Sequence, residues 1–193
     1  ELDLLLHNNS TIASGAYNLL DNLLNWALLQ TKQAYFYQES LHLATIVQHV
    51  EYNYKPLMLN KNINFRNNVS AADYVFVDLD SLKIVIRNLL DNAIKFSQEN
   101  GTILIYTLSS TEDFCYLVIE DTGSGMNETM RHELLKDTVL LSRKKNDDAI
   151  GTGLGLQLCK SMIHKNGGKL EIESEENVGT KMIIALPKFK NHG

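Results

Sequence analysis

The chain has 193 residues, with 18 Lys+Arg against 23 Asp+Glu, a formal charge of −5, 44% hydrophobic and 21% charged residues. That balance is too apolar for a disordered segment and has the wrong sign for a nucleic-acid binder held by phosphate neutralisation. Two cysteines, Cys115 and Cys159, make neither a disulfide framework nor a zinc cluster, and no apolar run approaches the ~20 residues that span a bilayer. The chain begins at Glu1 without a Met or a signal-peptide pattern, so we expect a piece of something longer.

Residues 1–31 read as one long helix. Leu2, Leu5, Ile12, Ala16, Leu19, Leu23 and Trp26 recur in steps of three and four, broken at Asn9, in a heptad a/d pattern. A second row, Leu6, Ala13, Leu20 and Ala27, widens the stripe toward a bundle helix. At about 1.5 Å per residue the rod is roughly 45 Å long, and it needs a partner helix or a second copy of the chain to cover its stripe. Residues 33–40 are polar and aromatic and read as a linker. An amphipathic helix follows at about 41–55, with Leu43, Ile46, Val47 and Val50 on one side and Pro56 as its end. The period then changes. Ile63 and Phe65 alternate with polar residues and Tyr74–Val77 is a short apolar run, so both predict strands. Residues 79–97 return to helical spacing, and strands are predicted at about 102–108 and 114–120 around a polar turn at Ser109–Asp113. Residues 127–150 are charged and irregular, with a short helical patch near 127–136. A helix at about 153–165 stops at Asn166-Gly167-Gly168, and strands at about 169–174 and 180–186 flank a turn near Asn177–Gly179. The fold class is α+β: a bundle helix, then a layer in which several strands pair antiparallel and helices cover one face.

Three stretches carry chemistry. On the 79–97 helix, Leu82, Val85, Ile86, Leu89, Ala93 and Phe96 form an apolar face, while Asn88, Asn92 and Lys95 fall at i, i+4 and i+7 on another. Amide oxygens suit Mg²⁺, a hard cation that keeps several waters, and an ammonium suits phosphate oxygens. The strip therefore fits a metal-bound polyphosphate, and equally an ordinary solvated helix face. Asp121-Thr122-Gly123-Ser124-Gly125-Met126 directly follows a strand. A carboxylate there can accept from the exocyclic amine of adenine, whereas guanine presents a carbonyl oxygen, acceptor against acceptor. Its glycines let the backbone lie close to a flat ligand; a plain Asp-Gly turn is the alternative. Gly151-Thr152-Gly153-Leu154-Gly155-Leu156 opens a helix whose free N–H groups and dipole make an anion site. The GxGxG spacing, with no strand before it and no GxxxxGK(S/T), rejects a dinucleotide-binding βαβ unit and a P-loop. A phosphate cradle and a glycine hinge before a core helix both remain open.

Together with Gly179-Thr180 in the final hairpin, these stretches resemble the catalytic and ATP-binding domain of sensor histidine kinases, within the wider gyrase–Hsp90–kinase–MutL ATPase superfamily. Residues 87–96 match the family's N box, 121–126 its G1 box, 151–156 its G2 box and Gly179-Thr180 its last glycine motif, over about 40–190. The resemblance implies a two-layer α/β sandwich, a mixed sheet covered by three helices, with ATP between helices and lid. It divides the chain into 1–32, the second helix of a dimerisation and phosphotransfer hairpin; 33–40, a linker; and 41–193, the catalytic domain. It also implies roles. Asn92 would bind Mg²⁺; Asn88, close to metal and phosphates, and Lys95, on phosphate, would be the catalytic pair. Asp121 would hold the adenine amine, with Gly123 in the same loop, Gly125 against the ring and Thr180 nearby. Gly151 and the backbone at Gly153, Leu154, Gly155 and Leu156 would wrap the phosphates. Residues 127–150 would form the lid, with Arg143-Lys144-Lys145 available to phosphate charge.

Superfamily hydrolases carry a water-activating Glu where this chain has Asn88, and an amide is no general base near neutral pH. That suits an enzyme that holds ATP until another nucleophile arrives. In the kinases the nucleophile is a His imidazole on a dimeric helical hairpin, and the phosphoryl group then passes to an Asp of a response-regulator receiver domain. Two departures stand out. The lid has no Phe for the family's F box, Leu134 and Leu135 being nearest, and His7 lies off the stripe before Asn8, where the family places an acid. The phosphoacceptor is therefore expected outside this chain. His42, His49, His132, His164 and His192 read as surface or packing residues, and the two cysteines as buried thiols. The expectation is a protein-histidine kinase piece that binds Mg²⁺–ATP or ADP, dimerises through the hairpin in the full-length protein and meets a response regulator. It would take no nucleic acid and touch a membrane only through upstream segments, lying itself in the cytoplasm. A non-catalytic nucleotide-responsive module and a free-standing ATPase of the superfamily are the other two readings.

Overall fold

The computed structural model describes residues 36–135 and 154–189, together with Leu20 and Leu24. Strands β1 (Gln38–His42) and β3 (Tyr74–Asp78) pair antiparallel as a ribbon. Strands β2 (Asn64–Asn68), β4 (Thr102–Leu108), β5 (Phe114–Asp121), β6 (Lys169–Glu175) and β7 (Gly179–Pro187) form a sheet in the order β2-β4-β5-β7-β6. β2 runs parallel to β4 and the other neighbours are antiparallel, so the sheet is mixed. Helices α1 (Leu43–Asn60), α2 (Leu79–Phe96) and α4 (Leu154–Lys165) pack on one face, and the short α3 (Glu128–Leu135) lies beside β6. This is the α+β, two-layer arrangement that the sequence predicts.

The strand period of two decides what is inside. The row Ile105, Ile119, Met182, Ile172 and the next row, with Leu117 and Ile184, face the helices and are buried. The alternate row, Leu104, Glu120, Lys181, Glu173, faces away from them. Into the core row the helices place Val47 and Met58 of α1, Val85, Ile86, Leu89 and Leu90 of α2, and Leu158 and Met162 of α4. The two thiols sit in this core. Burial pushes Cys115 up to about 11 and Cys159 up to about 12, well clear of thiolate chemistry near neutral pH.

Helix boundaries follow from caps. Asp78 is the N-cap of α2, its Oδ1 accepting from Ser81 N (2.8 Å) and Ser81 Oγ (2.6 Å). Asp80 in the first turn and Lys95 in the last complement the helix dipole. The stop at Asn166-Gly167-Gly168 is a Schellman turn, with Gly167 N on His164 O and Gly168 N on Ile163 O, both 2.9 Å.

Three local expectations need correction. The helix expected to end at Pro56 runs on to Asn60. Pro56 is exposed while Tyr54 and Met58 are buried, so the carbonyl that loses its donor faces water and apolar burial holds the next turn together. Residues 38–40, within the stretch read as linker, belong to β1, because pairing with β3 supplies hydrogen bonds that the local pattern does not announce. Phe96, assigned to the apolar face, is 37% exposed; Leu90 and Ile94 fill the core instead.

Candidate functional site

The site is built around Asp121, the last residue of β5. It is 9% exposed. Its Oδ1 accepts from Gly123 N (2.8 Å), and Thr180, its register partner on β7, adds a second backbone amide. Burial pushes the carboxyl above the ordinary carboxylate range; the two amides pull it back, and Glu120 pushes the same way as burial. A carboxylate has about four acceptor positions, so two amides leave room for a ligand amine.

The loop after Asp121 is stitched to three other elements. Thr122 N donates to Thr102 O on β4 (3.1 Å), Ser124 N to Phe96 O at the end of α2 (3.1 Å), and Asn177 N in the β6–β7 turn to Ser124 O (2.7 Å). Ser174 completes the junction. Its hydroxyl accepts from Met126 N (2.9 Å), bonds Thr180 Oγ1 (2.9 Å) and donates to Gly179 O (2.9 Å). Direct hydrogen bonds thus join the end of the Asn-bearing helix, the Asp-Gly loop and the last glycine motif.

The loop's glycines serve this junction. Gly125 has φ +60°, and a Cβ on it would collide with the Glu175 carbonyl. Gly179, at φ +144°, lies against the Asp121 carbonyl in the same way. At Gly125 the close approach read as room for a flat ligand is an approach of backbone to backbone.

Along α2, Asn88 Nδ2 donates to Ile84 O (2.9 Å). Because a carbonyl oxygen only accepts, the amide nitrogen makes this bond and Oδ1 is the side chain's acceptor. Asn92 lies one turn on and is half-buried, and Lys95 is exposed with its Nζ 5.5 Å from the Phe96 ring centroid. Immediately before Asn92 stands Asp91, whose carboxyl is raised by burial and drawn down by Lys95 and Arg87. Arg87, Asp91 and Lys95 repeat at i, i+4 and i+8, a charge pattern legible in the sequence but absent from our site prediction.

Helix α4 packs on α2 through Cys159, whose Sγ contacts Val85 O (3.8 Å). Leu154 and Leu156 bury their side chains, so they offer a ligand only backbone, as does Gly155. Leu134 of α3 packs partly buried against the core. Gly151, Gly153, Arg143-Lys144-Lys145, His7 and most of the 1–31 helix lie outside the described residues.

This order of elements is matched by a known family. Residues 77–190 match the histidine kinase-, DNA gyrase B- and HSP90-like ATPase family. The chain belongs to that family. It is 32% identical over 149 residues to the adaptive-response sensory kinase SasA of Synechococcus sp. (strain JA-3-3Ab), covering 77% of this chain and 39% of the relative. It is 28% identical over 170 residues to the sensor protein SrrB of Staphylococcus aureus (strain NCTC 8325), covering 88% of this chain and 29% of that protein. The chain therefore spans less than half the length of these curated relatives. Among solved structures it superposes on the nucleotide-free catalytic domain of the histidine kinase ThkA with a TM-score of 0.68 and 26% identity, covering 78% of this chain and 97% of that one. The chain carries an ATP-binding catalytic domain of the sensor-histidine-kinase type.

Proposed function

We propose that this ATPase-family domain holds ATP for transfer of its γ-phosphoryl group to a histidine imidazole, which passes it to an Asp of a response regulator. The observation that carries the reading is the buried Asp121 carboxylate, set by the Gly123 and Thr180 amides at the point where three motifs meet. It accepts the exocyclic amine of adenine and leaves guanine's carbonyl oxygen unpaired. The first turn of α4 supplies N–H groups and a positive dipole end to the phosphates, and Lys95 adds charge at their other side. Asn88, with its nitrogen tied to Ile84 O, has no basic group with which to activate water, so the bound triphosphate is preserved for the imidazole. Rate enhancement comes from positioning and from preorganised charge.

The donor set also fits Mg²⁺. The amide oxygens of Asn92 and Asn88, the latter not engaged by the Ile84 bond, are hard donors, too few for a protein-only cage and suited to a cation that keeps waters and takes phosphate oxygens. When bound, Mg²⁺ supplies neutralisation of phosphate charge, with Asn92 its holder.

Among the described histidines, His42 is tied to Thr45 Oγ1 (2.6 Å) and Ala71 O (2.8 Å), and His49, His132 and His164 lie on the surface. The acceptor is instead a histidine on a dimeric helical hairpin to which residues 1–32 contribute one helix. The solved histidine kinase ThkA in complex with the response regulator TrrA, 22% identical to this chain, supports the kind of partner. The cytoplasm is its compartment, where ATP and receiver domains are available. Titration calorimetry with ADP, ATP and GDP tests the site. Acid-labile phosphate on a histidine in a chain extended upstream tests the transfer. Adenine-selective binding without such phosphate would favour a nucleotide-responsive module, and steady turnover of ATP by residues 1–193 would favour a free-standing ATPase.

A further inference from the structure

Lys61 follows the last residue of α1 and is half-buried. Its Nζ donates to Ile94 O (2.9 Å), Lys95 O (3.2 Å) and Ser97 O (3.0 Å). An ammonium has three hydrogens, and here all three sit on carbonyls at the C-terminal end of α2. Such carbonyls lack intrahelical partners and form the negative end of the helix dipole, so one cation satisfies the hydrogen bonds and the charge together. The adjacent Ser97 hydroxyl is buried and has no hydrogen-bond partner among the described residues, and so does not share this role.

The carbonyl left out of the set is Phe96 O. It accepts from Ser124 N (3.1 Å), and Gly123 packs so closely on it that a Cβ there would stand 2.5 Å away. Gly123 in turn gives its N–H to Asp121 Oδ1. Lys61 therefore draws the carbonyls of residues 94, 95 and 97 to one side, while that of 96 is held by the loop that sets the Asp121 carboxylate. From this geometry we infer that Lys61 is a positioning residue of the nucleotide site: by locking the last turn of α2 it fixes the Asp121 loop, and with it the preference for adenine. The inference rests on the adenine-binding role proposed for Asp121.

The test compares K61M, K61Q and K61R. K61M keeps the apolar stem and removes the cation. It should lower ADP affinity about tenfold and bring the ADP-to-GDP affinity ratio down with it, because Asp121 is mispositioned rather than lost. K61R, which keeps charge and donors, should restore both to within about threefold of wild type. A merely structural loss would weaken ADP and GDP alike and leave their ratio unchanged. Hydrogen exchange without nucleotide gives a second readout: amides of residues 122–126 should exchange faster in K61M and return toward wild type in K61R. Faster exchange in a protein whose wild type ignores adenine nucleotides would remove the adenine role of Asp121, and with it this inference in its nucleotide form. Wild-type ADP binding with an unaltered K61M ratio and unaltered exchange would overturn the Lys61 role alone. If K61M does not fold, K61Q retains two donors without charge and should show a several-fold loss; an unchanged ratio and exchange there overturn the role equally.

Discussion

Replacing Asp121 by Asn should weaken nucleotide binding and change how the stability of the fold depends on pH. The carboxylate receives the amides of Gly123 and Thr180, and in the proposed complex the adenine amine as well. An Asn side chain offers one oxygen in place of two, so whichever way the amide turns, its NH₂ faces an N–H donor. Losing a charge-assisted bond and leaving a buried donor unpaired costs about 1–3 kcal/mol, or roughly 5- to 150-fold in ADP affinity. On stability two effects oppose each other, because the Asn NH₂ meets the Gly123 or Thr180 amide in the unliganded fold as well. Burial raises the Asp121 carboxyl above its ordinary value of 3.8 in the folded protein, so the native state binds that proton more tightly than the unfolded chain does. Stability contributed by the neutral form is then lost as pH rises through the folded pKa, and at pH 7 the ionised group is a net burden. Asn carries no such burden. Wild type should therefore lose stability relative to D121N as pH rises through the folded pKa of Asp121, on top of a pH-independent cost to D121N from its unpaired donor. Calorimetric titration with ADP and thermal melts from pH 7 downward measure both. Unchanged ADP affinity would refute the adenine role, and a melting difference between D121N and wild type that does not change with pH would refute the electrostatic account.

Other expectations follow from the same structure. G125A places a Cβ at φ +60° against the Glu175 carbonyl and should lose about 2–4 kcal/mol in urea denaturation, against a near-zero change if the loop relaxes freely. D78A removes the acceptor of Ser81 N, Ser81 Oγ and Tyr37 N, and should cost about 1–2 kcal/mol by thermal or chemical denaturation. N92A should abolish the Mg²⁺ dependence of ATP affinity while ADP binding without metal stays within about twofold; persistence of that dependence would place the cation elsewhere.

The glycines of the Asp121 loop show how sequence and structure divide the explanation. Gly-x-Gly after a strand-end Asp pointed to the right loop, and two of the glycines involved meet protein backbone rather than an open cleft. Ser174, which ties Met126, Gly179 and Thr180 together, carried no local signal, because a lone Ser in a strand of alternating charge has nothing to distinguish it. Lys61 was equally silent: a lysine after a helix reads as solvated, and only the fold brings the end of α2 to its ammonium.

By itself the sequence determined the period of each segment, the stop at Asn166-Gly167-Gly168, the α+β class and the residue types able to meet an adenine, a phosphate and a hard cation. Those properties are local, written in spacing and side-chain chemistry. Tertiary structure decided the rest: that Pro56 stays inside α1, that Gln38–His42 becomes a strand, that Phe96 turns outward, and that Lys61, Ser124 and Ser174 hold the loop of Asp121 in place. Each of these depends on a partner tens of residues away or on which face of an element the core can bury, and neither is expressed in the neighbourhood of the residue concerned.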